Sequence, residues 1–152
     1  MQRSVKGKLS QGELDAWRGF LRTHADIVRH LDAELQEEHG LPLTSYEVLL
    51  SLEAAPDRRL RMSELADSLL LSQSGVTRLV DRLVRDGLVR RERCDSDGRG
   101  YFAVLTDSGL ARYQAARPTH LAGVRKRFLE RLSDEQLEVL RGTWERLGVP
   151  LS

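Results

Sequence analysis

Between Ser72 and Arg85 the chain reads SQSGVTRLVDRLVR, and its polar residues are of types that can hold a nucleic-acid duplex. Gln73 and the guanidinium groups of Arg78 and Arg82 can each make paired hydrogen bonds to a base edge in a major groove. Ser72, Ser74 and Thr77 carry hydroxyls that, with helix-start amides, can take phosphate oxygens. Wound at about 100° per residue, the segment puts Val76, Leu79, Val80 and Leu83 on one face, with Val84 at its edge. Ser74, Arg78, Asp81, Arg82 and Arg85 fall on the other, with Gln73 and Thr77 near the N-terminal end. Further on, Arg99 stands between Gly98 and Gly100, two residues after Asp97. No bulky neighbour keeps that arginine out of a narrow, electronegative minor groove, and Asp97 is placed to steady its guanidinium. A solvated helix face and a plain flexible turn would use the same residue types. The surrounding elements therefore decide.

Those elements are legible from caps, stripes and breakers. Ser10-x-x-Glu13, Thr44-x-x-Glu47 and Ser133-x-x-Gln136 have the form of capping boxes, each marking a helix start. After the first, Leu14, Trp17, Leu21, His24, Val28, Leu31 and Leu35 recur at steps of three and four, a heptad seam that Phe20 and Ile27 widen. Gly40 and Pro42 stop that helix. The second box opens a short helix carrying Tyr46, Leu49, Leu50 and Leu52, and a basic connector (Arg58, Arg59, Arg61) follows with room for one brief strand. SELADSLL reads as a compact helix, and a tight turn at Leu71-Ser72 leads into the helix from Gln73 to Asp86. Past Leu88 the pattern turns to strand. Val89 to Cys94 and Tyr101 to Thr106 flank a loop of aspartates and glycines, which makes a hairpin. Thr106-Asp107-Ser108-Gly109 restarts helix, with an apolar stripe running from Leu110 to Leu132 and a kink expected at Pro118. Leu137, Leu140, Trp144 and Leu147 supply the last stripe.

The expected fold class is mainly α with a small β-hairpin wing: a winged helix-turn-helix core flanked by N- and C-terminal dimerisation helices. Residues 1–152 form a single domain in this reading, with 10–38 and 107–148 the dimerisation helices and 44–106 the winged helix-turn-helix. The chain's length suits one domain's core. Its net charge of +1 means that any affinity for nucleic acid must come from local placement of arginine. One cysteine, Cys94, cannot close an internal disulfide, and the apolar stretches are too short to span a bilayer. Both features fit a cytoplasmic protein with no membrane partner.

LADSLLLSQSGVTRLVDRLVRDGLV, the Asp97-x-Arg99 turn and VLTDSG, taken together, resemble the multiple-antibiotic-resistance regulator (MarR) family, and the flanking helices fit its layout across essentially the whole chain. The resemblance implies a homodimer on double-stranded DNA at a palindromic operator, most often as a repressor. It also implies release by a small phenolic or drug-like effector, or by cysteine oxidation. Ser72, Gln73, Ser74, Thr77, Arg78 and Arg82 would then work in the major groove and on phosphate, and Asp97 and Arg99 in the minor groove. Symmetry would set two reading helices roughly 34 Å apart. Where the family usually has two adjacent arginines at the wing tip, this chain has Gly98 before Arg99. That departure bears on phosphate affinity more than on sequence choice.

The remaining signals are weaker. Leu14, Trp17, Leu21, Leu137, Leu140 and Trp144 are the expected dimerisation residues, and Trp17, His24 and Tyr46 the candidates for lining an effector pocket. Cys94 beside Arg93 is by default an inert thiol. Asp26 and His30 share a helix face but form too small a set for a metal, so no metal or cofactor is expected. No Gly-rich phosphate loop, HExxH or GxSxG occurs, which argues against an enzyme. The alternative reading is a winged-helix protein-interaction module that no longer binds DNA. Such a module should carry apolar residues where this chain carries arginines.

Overall fold

The structure is a computed structural model, and it describes residues 7–69, 71–94 and 100–149. Among these the elements run α1 (Gln11–His39), α2 (Leu43–Ala54), a 3-10 turn (Pro56–Arg58), β1 (Arg59–Arg61), α3 (Met62–Leu69) and α4 (Gln73–Arg85). Next come β2 (Val89–Arg93), β3 (Tyr101–Leu105), α5 (Asp107–Arg127), a 3-10 turn (Leu129–Arg131) and α6 (Asp134–Arg146). This is the mainly helical fold with a small antiparallel sheet that the sequence pattern implies. The chain falls into two compact units, residues 32–122 and residues 1–31 with 123–152.

The first unit, hereafter the reader, holds α2 to β3. Its core is built from helix faces of Leu and Val: Leu49 and Leu52 of α2, Leu65 of α3 and Val76, Val80 and Leu83 of α4 are each at most 1% exposed. The strands order β1-β3-β2, all antiparallel, so the connector strand closes one side of the hairpin. The start of α2 departs from the sequence reading. Thr44 does not cap it; the helix begins at Leu43 behind Pro42, with no side-chain cap. Proline's side chain offers no acceptor, and the Leu43 N–H instead donates to Asp32 Oδ1 of α1 at 2.8 Å. The end of α1 is held on α5 by His39 Nε2 to Thr119 Oγ1 (2.8 Å), and Thr119 in turn donates to Glu38.

The second unit, hereafter the platform, joins the N-terminal part of α1 to α6 and the end of α5. Both terminal boxes form as expected. Ser10 N–H donates to Glu13 at 2.7 Å while Ser10 Oγ accepts from the Glu13 N–H, and Ser133 and Gln136 repeat the exchange at α6. Phe20 meets Trp144 at 5.7 Å between ring centroids. Helix α5 runs through Pro118 and ends at Arg127, so the last residues of the expected stripe, Phe128 and Leu132, lie beyond it.

Candidate nucleic-acid interface

Helix α4 is defined at both ends by local chemistry. Ser72 is extended and its Oγ accepts from the Gly75 N–H at 3.1 Å, which satisfies one amide the first turn leaves open. At the other end Gly87 takes φ +73°, and the Gly87 and Leu88 N–H groups return to Val84 O (3.0 Å) and Leu83 O (2.9 Å). That pair of bonds is a Schellman closure, which needs a residue without a Cβ penalty in the left-handed region. The helix is thus fixed in length and turned directly into β2.

Its apolar face is buried as the wheel predicts: Val76, Leu79, Val80 and Leu83 lie inside. Gln73, Ser74, Thr77, Arg78, Arg82 and Arg85 are exposed, as is Ser72 at the cap. Thr77 donates its hydroxyl to Gln73 O at 2.8 Å, leaving only lone pairs to offer outward. Ser72 and Ser74 share a hydrogen bond at 3.2 Å. Among the described residues no carboxylate pairs with Arg78, Arg82 or Arg85, whereas the one acid of this face, Asp81, is taken by Arg91 of β2 at 2.8 Å. The outward surface of α4 therefore presents three cations, while the helix's one acid is held by Arg91.

The register explains why Arg91 does this. Pairing runs Val89↔Leu105, Arg91↔Ala103 and Arg93↔Tyr101 on one face of the sheet, and Arg90↔Val104 and Glu92↔Phe102 on the other. Val89, Ala103 and Leu105 are buried, so Arg91 shares its face with the core and reaches α4 at its rim. The sequence reading passed over this residue. The signal was present, since period-2 alternation places it with Val89. On the opposite face Arg90 pairs with Glu92 at 2.6 Å, and Arg59 lies 4.6 Å from the Phe102 ring centroid. The ladder continues to the Cys94 N–H, which donates to Gly100 O at 3.2 Å. Cys94 itself is buried. Asp97 and Arg99, the wing residues expected to enter the minor groove, lie outside the described residues.

Thr106 and Gly109 tie the hairpin to α5. Thr106 Oγ1 donates to Gly87 O (2.7 Å) and accepts from the Gly109 N–H (3.0 Å), capping α5 against the turn that closes α4. A Cβ at Gly109 would stand 2.0 Å from Leu88 O. Sequence reasoning found the helix start here but not this close approach.

The other candidates separate. Trp17 and His24 line a cavity of about 860 Å3 in the platform together with Phe20, Phe128, Leu140 and Trp144. Trp17 and Leu21 are exposed in the single chain, at 55% and 45%, and Leu14, Leu137, Leu140 and Trp144 are partly buried. Tyr46 belongs to the reader, 1% exposed, with His120 at 4.5 Å and Tyr113 at 5.5 Å between ring centroids. Burial, then the neighbouring Tyr113, pushes its phenol up to about 12. Burial lowers His120 below its usual 6.5, and its Nδ1 has no hydrogen-bond partner among the described residues. No group of three metal-ligating side chains occurs among them either.

This geometry has counterparts. The MarR family profile matches residues 39–100, from the end of α1 to the close of the hairpin loop. Sco3205 of Streptomyces coelicolor, a MarR family transcriptional regulator solved in complex with DNA, is 37% identical. It superposes with a TM-score of 0.89 over 95% of this chain and 92% of its own. The chain belongs to the MarR family of transcriptional regulators. AbsC, another MarR family regulator of Streptomyces coelicolor, is 36% identical at a TM-score of 0.88, covering 93% of this chain and 95% of that one. The transcriptional repressor YetL of Bacillus subtilis is 33% identical over 114 residues, 72% of this chain and 68% of its own length. MarR proteins are regulators and not enzymes, in keeping with a chain whose chemistry-bearing residues gather on one helix face. No helix among the described residues is long and apolar enough to cross a membrane.

Proposed function

We propose that this protein is a homodimeric, sequence-specific DNA-binding regulator, a repressor released from its operator by a small-molecule effector. One observation carries the DNA reading: the exposed face of α4, where Gln73, Ser74, Thr77, Arg78 and Arg82 stand clear of carboxylate partners beside a hairpin joined to the helix by the Asp81–Arg91 ion pair. That face suits a major groove, with Ser72 and the first amides of α4 on phosphate. Arg99, oriented by Asp97, takes the adjacent minor groove. The DNA-bound relative supports the same reading.

The platform supplies the dimer. Trp17, Phe20 and Leu21 are exposed together on α1, and a self-complementary apolar surface is what a two-fold partner buries. The cavity lined by Trp17 and His24 gives an amphipathic, aromatic setting for a phenolic effector.

The decisive test is binding of the purified protein to DNA from its own promoter region against a scrambled duplex, over a salt series. Preferential binding with a steep salt slope is expected. Replacing Arg78 by alanine should cost about 1–3 kcal/mol and relax preference at one base position where its contact is to a base, whereas a loss nearly uniform across sequences marks a phosphate contact. Equal, weak binding of the two duplexes, with no site recovered by selection from random sequence, would shift the reading to a protein-interaction module.

A further inference from the structure

The last described pair of the hairpin before its loop, Arg93↔Tyr101, projects from the same face as Arg91. Arg91 fixes where that face points, because its guanidinium lies 2.8 Å from Asp81 on the outward side of α4. Two residues along a strand span about 6.8 Å. Arg93 and Tyr101 therefore stand one step beyond Arg91 along the hairpin, away from its contact with α4. Both are exposed, and Tyr101 at 45% is a large side chain that nothing in the reader's core requires there. With α4 in a major groove, the sugar–phosphate ridge bounding that groove lies on the side to which Arg91 and its strand neighbours project.

We propose that Arg93 and Tyr101 form a clamp on that phosphate ridge. This rests on the DNA-binding reading above and adds to it a site with its own chemistry. A guanidinium fork matches two oxygens of one phosphate, and a phenol hydroxyl donates to a third acceptor without charge. Their positions directly opposite each other on adjacent strands bring both donors to the same backbone segment. The clamp sets register and affinity, not sequence choice, because phosphate oxygens are the same at every base pair.

The test uses a duplex recovered by selection from random sequence with the wild-type protein, and the variants Arg93→Gln and Tyr101→Phe. Arg93→Gln should reduce the slope of log K against log salt by roughly 0.9 for each protomer bound, with equal fold losses on the selected and on a scrambled duplex. Tyr101→Phe should weaken both duplexes by the same factor at every salt concentration and leave the slope intact. Replacing single phosphates by neutral methylphosphonates should weaken the wild type at a ridge position and have no further effect on Arg93→Gln. An unchanged slope and affinity for Arg93→Gln, with the wild type binding normally, would overturn the clamp alone. So would a loss confined to the selected sequence, since that marks a base contact. A wild type for which selection recovers no duplex and whose affinity is independent of salt would remove the DNA reading and the clamp with it.

Discussion

Gly109 is the residue at which one added carbon meets the least forgiving surroundings. Its Cβ would stand 2.0 Å from the carbonyl oxygen of Leu88 and 2.7 Å from Leu105 Cδ1. The first is backbone, held by the Thr106 N–H at 3.2 Å, so neither side can yield cheaply. Gly109→Ala should lower stability by about 1–3 kcal/mol, the usual range for overpacking, read from chemical denaturation. A midpoint equal to that of the wild type would mean that α5 and the end of α4 are not packed as described. His120 makes a second residue-scale prediction. Burial sets its folded pKa below the unfolded value of 6.5. The unfolded chain therefore binds the proton first as the pH falls. Stability present above about pH 6.5 is lost as the pH drops through that value toward the lower folded one. His120→Phe keeps an aromatic ring against Tyr46 and should flatten this part of the stability–pH curve; an unchanged acid limb would locate the titration elsewhere. At this scale the sequence is informative where the partner is near. Ser10 and Ser133 find theirs three residues on, and both boxes form. Thr44 has the same spacing and fails, because the helix starts one residue earlier at Leu43, whose N–H is served by Asp32, eleven residues away on another helix.

Helices and strands follow the same rule of locality. The face that α4 buries is fixed by its 3.6-residue period and needed no tertiary information. What the period does not say is how the helix is coupled to the hairpin. That depends on the turn at Gly87, the strand register, and the resulting approach of Arg91 to Asp81. The register was recoverable in principle from alternation of Val89 with arginines, but the partner of Arg91 was not, since Asp81 in α4 and Asp86 just past its end are equally plausible carboxylates from sequence alone. The Asp81–Arg91 pair is partly exposed, with side chains 48% and 33% accessible. Its contribution to stability should be small, about 0.2–1 kcal/mol in a double-mutant cycle with Asp81→Ala and Arg91→Ala. The same cycle measured on operator binding should give the larger coupling, because the pair aligns two elements that would meet DNA together. Equal coupling in folding and in binding would reduce it to a surface ion pair. At the wing, composition revealed the hairpin and the candidate arginine; Asp97 and Arg99 lie outside the described residues, and their role rests on the binding experiments.

At the scale of the whole molecule the composition is nearly silent, because a net charge of +1 neither demands nor forbids a polyanionic partner. The distribution of apolar surface is more telling. The reader closes its core within residues 32–122, while the platform leaves Trp17, Phe20, Leu21 and Leu147 between 45% and 68% exposed. The heptad seam along α1 carried this information in the sequence, since a stripe longer than its own chain can cover needs a second surface. In the proposed dimer Leu21 faces the partner's platform, and the two-fold relation doubles every substitution made there. Leu21→Arg introduces two cations into one apolar interface while leaving the buried residues of either unit untouched. Sedimentation should shift from dimer to monomer, with helix content retained. Because two reading helices roughly 34 Å apart require a fixed pair of readers, the operator footprint should shrink to one half-site and the affinity fall toward that of a single reader. A Leu21→Arg protein that stays dimeric at micromolar concentration would place the interface on another surface. One that becomes monomeric yet protects both half-sites would show that the readers do not depend on the platform for their spacing.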